Sequence, residues 1–199
     1  MSNPVLLVIG GCNGSGKSSF SKLLATTDFE PFDYDKEYLK HYHSLLDSDV
    51  KDVMAHNMAY ESLEEKVRIA IEYRQNFCYE TNFNSTPMYW PEIFRKHQFE
   101  LRLIYLCLNS LEEAQKRVDI RVENGGHYVP RSEIEKRYFQ GFENLNAHFK
   151  FFSKIDLFDT SDYGRLPKHI LSIENELLTH SSDIPLYLHE LIPDIFKIG

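Results

Sequence analysis

Residues 11–18 read Gly-Cys-Asn-Gly-Ser-Gly-Lys-Ser, the spacing G-x-x-x-x-G-K-[ST] of a phosphate-binding loop. Gly11, Gly14 and Gly16 permit backbone conformations that a side chain would forbid, so successive N–H groups can converge on a phosphate. Lys17 carries a point charge to the β- and γ-phosphates, and the Ser18 hydroxyl completes the shell of a Mg²⁺ ion. Asn13, Ser15 and Ser19 complete the expected nucleotide-binding set. The flanks agree with this. Residues 4–9, Pro-Val-Leu-Leu-Val-Ile, form an apolar run rich in β-branched residues, as a buried parallel strand requires. Residues 20–25 follow with helical apolar spacing, and the N-terminus of that helix would face the phosphate. Strand, loop and helix together imply a nucleoside triphosphate ligand.

Further along, strand-like and helix-like stretches alternate, the pattern of an α/β layered fold around a parallel sheet. Residues 29–33 predict a short second strand, 35–46 and 50–75 helices, 76–80 a strand and 88–97 a helix. Residues 101–108 predict a central strand. Ser110 with Glu113, and Ser132 with Glu135, have capping-box spacing and predict helices to about 123 and 149. Residues 154–158 predict the last strand and 166–178 a closing helix. The expected architecture is a three-layer, nucleoside-kinase-like phosphate-loop domain spanning residues 1–199. It has a five-stranded parallel sheet and a helical lid at about 116–137.

The chain has 199 residues and a net charge of −8, from 30 acidic against 22 basic residues, which argues against nonspecific nucleic-acid binding. No apolar run approaches the length of a membrane span, and the N-terminus lacks the charged and apolar regions of a signal peptide. The three cysteines lack C-x-x-C pairing, which argues against disulfides and zinc and points to the cytoplasm. Cys12 inside the loop reads either as oxidation-sensitive or as space-filling.

The loop motif alone does not separate GTPases, transport ATPases, motors and small-molecule kinases. The sequence lacks Asn-Lys-x-Asp for guanine selection and Leu-Ser-Gly-Gly-Gln of transporter ATPases. No apolar run ends in the Asp-Glu pair of hydrolytic ATPases. A late basic segment instead places Lys116, Arg117, Arg121, Arg131, Lys136 and Arg137 around Gly125-Gly126. That is the layout of a lid whose arginines close over a transferring phosphoryl group, and also of a solvated face with pairs such as Glu133–Arg137.

Taken with the loop, Asp33-Tyr-Asp35, Tyr79-Glu80-Thr81, Gly125-Gly-His-Tyr-Val-Pro130, Ile134-Glu-Lys-Arg-Tyr138 and Asn144-Leu145 resemble the zeta-toxin-like phosphate-loop kinases. The resemblance spans roughly residues 5–165. It implies ATP with Mg²⁺, transfer of phosphate to the 3′-hydroxyl of the sugar in a UDP-amino-sugar, and an antitoxin partner. The Gly-Gly-His lid departs from the more arginine-rich lid of those toxins, and no antitoxin segment is recognisable. Chemistry therefore carries over better than substrate.

Within this frame Asp35, at the C-terminal edge of the sheet, is the candidate general base, where the resemblance also places the toxins' catalytic aspartate; its competing role is a helix N-cap. Asp33 is a candidate for substrate or a metal-bound water, or else a turn residue. Glu80 and Thr81 end a strand at the same edge and are expected to bind substrate. Asn82 and Asn84 offer neutral hydrogen bonds beside them. Arg121 and Arg137 are expected on the phosphates, since a planar guanidinium matches phosphate oxygens. His127, whose flanking glycines permit close approach to a nucleotide, is expected to bind substrate, and Asp159-Thr-Ser161 resembles the family's adenine-side loop. Catalysis is thus assigned to Lys17, Asp35, Arg121 and Arg137. The competing readings are a nucleotide-gated binding module without turnover and a polynucleotide kinase.

Overall fold

The first strand is apolar on both sides. β1 (Val5–Gly10) is buried along its whole length, as a strand covered on both faces must be. Alternation sends Leu6 and Val8 into one core, and Leu7 and Ile9 into another. The protein is described by a computed structural model over residues 3–25, 29–126 and 128–198. After β1 the chain forms α1 (Lys17–Leu24), α2 (Tyr34–Ser44), α3 (Lys51–Glu72), β2 (Phe77–Thr81), α4 (Tyr89–Lys96), β3 (Glu100–Cys107) and α5 (Leu111–Glu123). It continues as α6 (Arg131–His148), β4 (Lys154–Asp159), β5 (Lys168–Glu174), β6 (Leu177–Ser181) and α7 (Leu186–Leu191). The sheet order is β2-β1-β3-β4-β5-β6. β2, β1, β3 and β4 are parallel, so their C-terminal ends share one edge. β5 and β6 return antiparallel.

The two outer layers are unequal. Leu63 and Val67 of α3, Phe94 of α4, Val118 of α5, and Ile134, Phe142 and Leu145 of α6 cover the Leu6/Val8 face. The Leu7/Ile9 face is covered more thinly, by Leu24, Ala25 and Phe29.

The sheet has six strands rather than the five parallel ones expected, and residues 166–178 form no helix. Ile170, Leu171 and Ile173 are buried against β4. Asn175 and Glu176, both with positive φ (50° and 63°), turn the chain back, the twist that a two-residue hairpin needs. The apolar spacing of this stretch suits helix and strand alike, and an open sheet edge beside it favoured the strand. Residues 29–33 contribute one bridge, Phe32 to Tyr79, rather than a strand. Ser110 caps α5 as expected, accepting from the Glu113 N–H at 3.1 Å. Ser132 caps nothing: α6 starts at Arg131, and the Pro130 carbonyl accepts from Glu133 and Ile134.

Gly141 fixes how close α6 comes to the sheet edge. A Cβ there would stand 2.6 Å from the Tyr105 hydroxyl and 3.0 Å from the Asn82 carbonyl, and Tyr105 is fully buried with no room to retreat. Gly141→Ala should therefore destabilise the chain by about 1–3 kcal/mol, against the ~1 kcal/mol that helix propensity alone would gain. Chemical denaturation checks this. Adding Tyr105→Phe should recover part of the loss, because it removes the nearer contact. An unaltered or raised midpoint in the single variant would refute the close approach.

Candidate active site

The glycine loop folds onto α5. Gly14 has φ 82°, and a Cβ there would meet the Ala114 carbonyl at 2.9 Å and Arg117 Cβ at 3.2 Å. Gly16 caps α1 in the left-handed conformation (φ 88°), and the Ser19 and Phe20 N–H groups return to its carbonyl. Helix α1 thus begins at Lys17, three residues earlier than the sequence predicts, with its N-terminus at the loop. Asn13 and Ser15 are buried in the loop and Ser19 is exposed. Cys12 is buried, and desolvation pushes its thiol up to about 11, so it fills space as a protonated thiol.

Lys17 is where the elements meet. Its ammonium donates to the carbonyls of Gly11 (2.7 Å) and Cys12 (3.0 Å) and to Oδ1 of Asn82 (3.0 Å), the residue that follows β2. Burial lowers its pKa, while Cys12, Asp35, Glu80 and Asp33 oppose that shift. One cation therefore faces three carboxylates and is held by the loop that would bind phosphate.

Ser18 Oγ donates to Glu80 Oε2 at 2.8 Å. Desolvation raises the Glu80 pKa and the Asp33 charge adds to that, against hydrogen bonds from Ser21 and Ser18 and the charge of Lys17. Thr81 turns inward on the chain, its Oγ1 accepting from the Phe83 N–H at 3.0 Å. Asp33 is the N-cap of α2, accepting from the Lys36 N–H at 3.1 Å. The capping role weighed for Asp35 thus falls two residues earlier. Asp35 lies in the first turn of α2 and is exposed.

From the lid side, Arg137 of α6 reaches the loop, its Nη1 donating to Asn13 Oδ1 at 3.2 Å, while Nε lies 3.7 Å from Glu133. Arg121 sits in the last turn of α5 and packs under Gly126, where a Cβ would lie 2.5 Å from Arg121 Cγ. Arg131 pairs with Asp119 at 3.1 Å, and both are exposed. His127 lies outside the described residues.

The residue missing from the sequence-based site is Arg117. It is one turn before Arg121 and bonds Glu113 (2.7 Å), the carbonyls of Thr160 and Ser161 (2.9 Å each) and, at 3.4 Å, Gly14. Its guanidinium lies 5.3 Å from the Tyr163 ring centroid. This ties the phosphate loop to the turn after β4, which Asp159 organises by accepting from the Ser161 N–H and hydroxyl. A cleft of 390 Å³ beside it is lined by Asn109, Glu113, Ser161 and Tyr163 among others. A larger one, 560 Å³, lies between the end of α6 and the C-terminal residues and includes no residue of the loop.

Among the described residues no helix is long and apolar enough to cross a membrane.

No curated protein matches the sequence. Solved structures of similar fold include a chain of the Pnkp1/Rnl/Hen1 RNA repair complex, 24% identical over 74% of this chain, TM-score 0.57. The match covers 47% of that chain, so the present protein spans about half its length. A chain of the PezAT chromosomal toxin–antitoxin system of Streptococcus pneumoniae is 13% identical over 100% of this chain and 85% of that one, TM-score 0.62. A chain of the AvrRxo1-ORF1:-ORF2 complex, determined with ATP, is 13% identical over 96% of this chain and 63% of that one, TM-score 0.66. At these identities the likeness concerns the fold. The sequence model of the family described as Zeta toxin matches residues 1–164, and the chain belongs to the zeta toxin family.

Proposed function

We propose that this chain transfers the γ-phosphate of ATP to a hydroxyl of a small molecule in the cytoplasm, with a UDP-amino-sugar as the first acceptor to try. The observation that carries the reading is the convergence on Lys17: loop carbonyls, Asn82, and the charges of Asp35, Glu80 and Asp33. In this mechanism Lys17 exchanges its carbonyl partners for β- and γ-phosphate oxygens. Asp35 takes the acceptor's proton as its oxygen attacks phosphorus in line, and the bond to the β-phosphate oxygen breaks to release ADP. Arg137 supplies charge to the transferring group from the lid side. Arg121, packed under Gly126, keeps the candidate phosphate role only through lid closure.

Ser18 and Glu80 form the donor set for Mg²⁺. Two hard oxygens 2.8 Å apart suit an ion that prefers few protein ligands and completes its shell with water and phosphate. When bound, the ion would neutralise charge on the phosphates. Glu80, strained toward protonation by burial, would be relieved by a cation.

That gives a stability test. The native Glu80 pKa lies above its ordinary value of 4.5. The native state therefore holds the proton more tightly than the unfolded chain. This stabilisation is full below pH 4.5 and is lost as pH rises through the native pKa. Glu80→Gln should raise the melting midpoint of the nucleotide-free chain at pH 7 and flatten its fall from pH 4.5 upward. It should also weaken the Mg²⁺ dependence of ATP binding. A lower midpoint at pH 7 would contradict the raised pKa.

The reading itself is tested by transfer from γ-labelled ATP with Mg²⁺ into nucleotide sugars, sugars, nucleosides and a short RNA with a 5′-hydroxyl. Label in a small acceptor supports it. Label in the RNA alone favours the polynucleotide-kinase alternative, which the net charge of −8 opposes. Tight ATP binding without transfer favours a nucleotide-gated module. An antitoxin is the expected protein partner, supported by the toxin–antitoxin assembly of the S. pneumoniae relative.

A further inference from the structure

Residues 165–198 lie beyond the stretch that the family model matches, yet they reach the turn that holds Arg117. Helix α7 is pinned from two sides. Leu188 and Ile192 are fully buried in the main core. Just after the helix, the Asp194 N–H donates to Asn146 Oδ1 at 2.8 Å, and Asn146 Nδ2 donates to Asp194 Oδ2 at 2.9 Å, which ties this segment to α6. So anchored, α7 presents Tyr187 to the end of β4, where its hydroxyl donates to Asp159 Oδ1 at 3.1 Å. Burial raises the Tyr187 pKa, so the phenol keeps the proton it donates.

The same carboxylate oxygen accepts from the Ser161 N–H at 3.0 Å and from the Ser161 hydroxyl. The hydroxyl oxygen in turn accepts from the Asn109 N–H at 3.1 Å. These bonds fix where the Thr160 and Ser161 carbonyls point, and both point at Arg117. Its Nη1 and Nη2 donate to them at 2.9 Å each, and Nη1 also lies 3.4 Å from the Gly14 carbonyl. The Arg117 side chain is only 9% exposed. A guanidinium that lost the two carbonyls would keep buried donors without acceptors, so it follows the turn. Gly14, packed against Ala114 and Arg117, follows it in turn. A core role accounts for the Tyr187 ring, which packs on the main core, and a phenylalanine would fill that role equally. The hydroxyl is accounted for by the turn.

We infer that Tyr187 is a positioning residue for the phosphate loop, acting through Asp159, Ser161 and Arg117. The inference rests on the nucleotide-binding part of the reading above, and it gives the C-terminal segment a share in ATP affinity through these three residues. With the hydroxyl in place, the turn, the guanidinium and Gly14 are held in one arrangement. Without it, part of the population leaves that arrangement, and apparent affinity falls with the fraction that remains.

Tyr187→Phe keeps the ring and removes the hydroxyl. Amide hydrogen exchange of the nucleotide-free chain, followed by mass spectrometry, should speed up in peptides covering residues 12–18 and 159–163 and stay unaltered in α6. Calorimetric titration with ATP and Mg²⁺ should show about 3–10-fold weaker binding, the net contribution of one hydrogen bond. In an Arg117→Lys background, which lacks the planar fork, the same substitution should cost nothing more. Should Tyr187→Phe melt below the assay temperature, Asp159→Asn, a weaker acceptor for the same bond, takes its place in both measurements. Wild-type exchange in the two peptides, faster exchange confined to α7, wild-type ATP affinity, or additive losses in the double variant overturns the inference. ATP binding without phosphoryl transfer in the wild type overturns the kinase reading alone, and exchange and affinity still decide this one. Transfer by a Tyr187→Phe chain that matches the wild type in exchange and affinity overturns this one alone.

Discussion

Asp35→Asn should leave ATP affinity within about twofold of the wild type and lower phosphoryl transfer by about 10²–10⁴-fold, the range of general-base contributions. Asn keeps the shape of Asp but cannot accept the acceptor's proton. Asp35 is exposed and does not cap α2, so the substitution costs the fold little. Asp33 provides the control. It does cap α2, through the Lys36 N–H, and Asn caps as well as Asp, so Asp33→Asn removes only its charge. If Asp35→Asn turned over near the wild-type rate while Asp33→Asn did not, the base assignment would move two residues. Initial rates with γ-labelled ATP, beside equilibrium binding of the same nucleotide, separate these outcomes.

Lys17→Met should weaken ATP binding by about 10²–10³-fold, since truncating one partner of a buried charge pair costs about 2–5 kcal/mol. The same substitution should not lower the melting midpoint of the nucleotide-free chain. Burial depresses the Lys17 pKa, a cost that methionine avoids, and this offsets the lost attraction to Asp33, Asp35 and Glu80, none of which is fully buried. The Gly11 and Cys12 carbonyls lose a donor, but the lysine is only half-buried and water can replace it. Calorimetric titration and thermal melts on one preparation check both halves. A chain that lost binding and melted well below the wild type would show Lys17 to be a structural residue first.

Where the sequence was read correctly, the determinants are local. The strand, the glycine loop and the helix it opens are contiguous, and the strand carries its own pattern of burial. Ser110 announced α5 because a cap and its N–H are three residues apart. Where it was misread, the determinant came from elsewhere in the chain. Residues 166–178 had helical apolar spacing, yet Ile170, Leu171 and Ile173 found an open edge at β4. Arg117 and Arg121 lie one turn apart on α5 and are equivalent to a periodicity argument. Only the docking of Gly14 against Ala114 and Arg117 selects the first for the loop.

The sequence by itself determined the α/β class and the strand–loop–helix unit that carries the glycine-rich motif. Glycine conformation, strand burial and helix caps act over a few residues, and their signals survive in a linear text. The tertiary structure decided the antiparallel end of the sheet, the exchange of the capping role from Asp35 to Asp33, the choice of Arg117, and the meeting of Asn82 and Glu80 with Lys17 and Ser18. Those contacts join positions 62 to 103 residues apart. They depend on the register and packing of whole elements, set by which apolar faces bury one another.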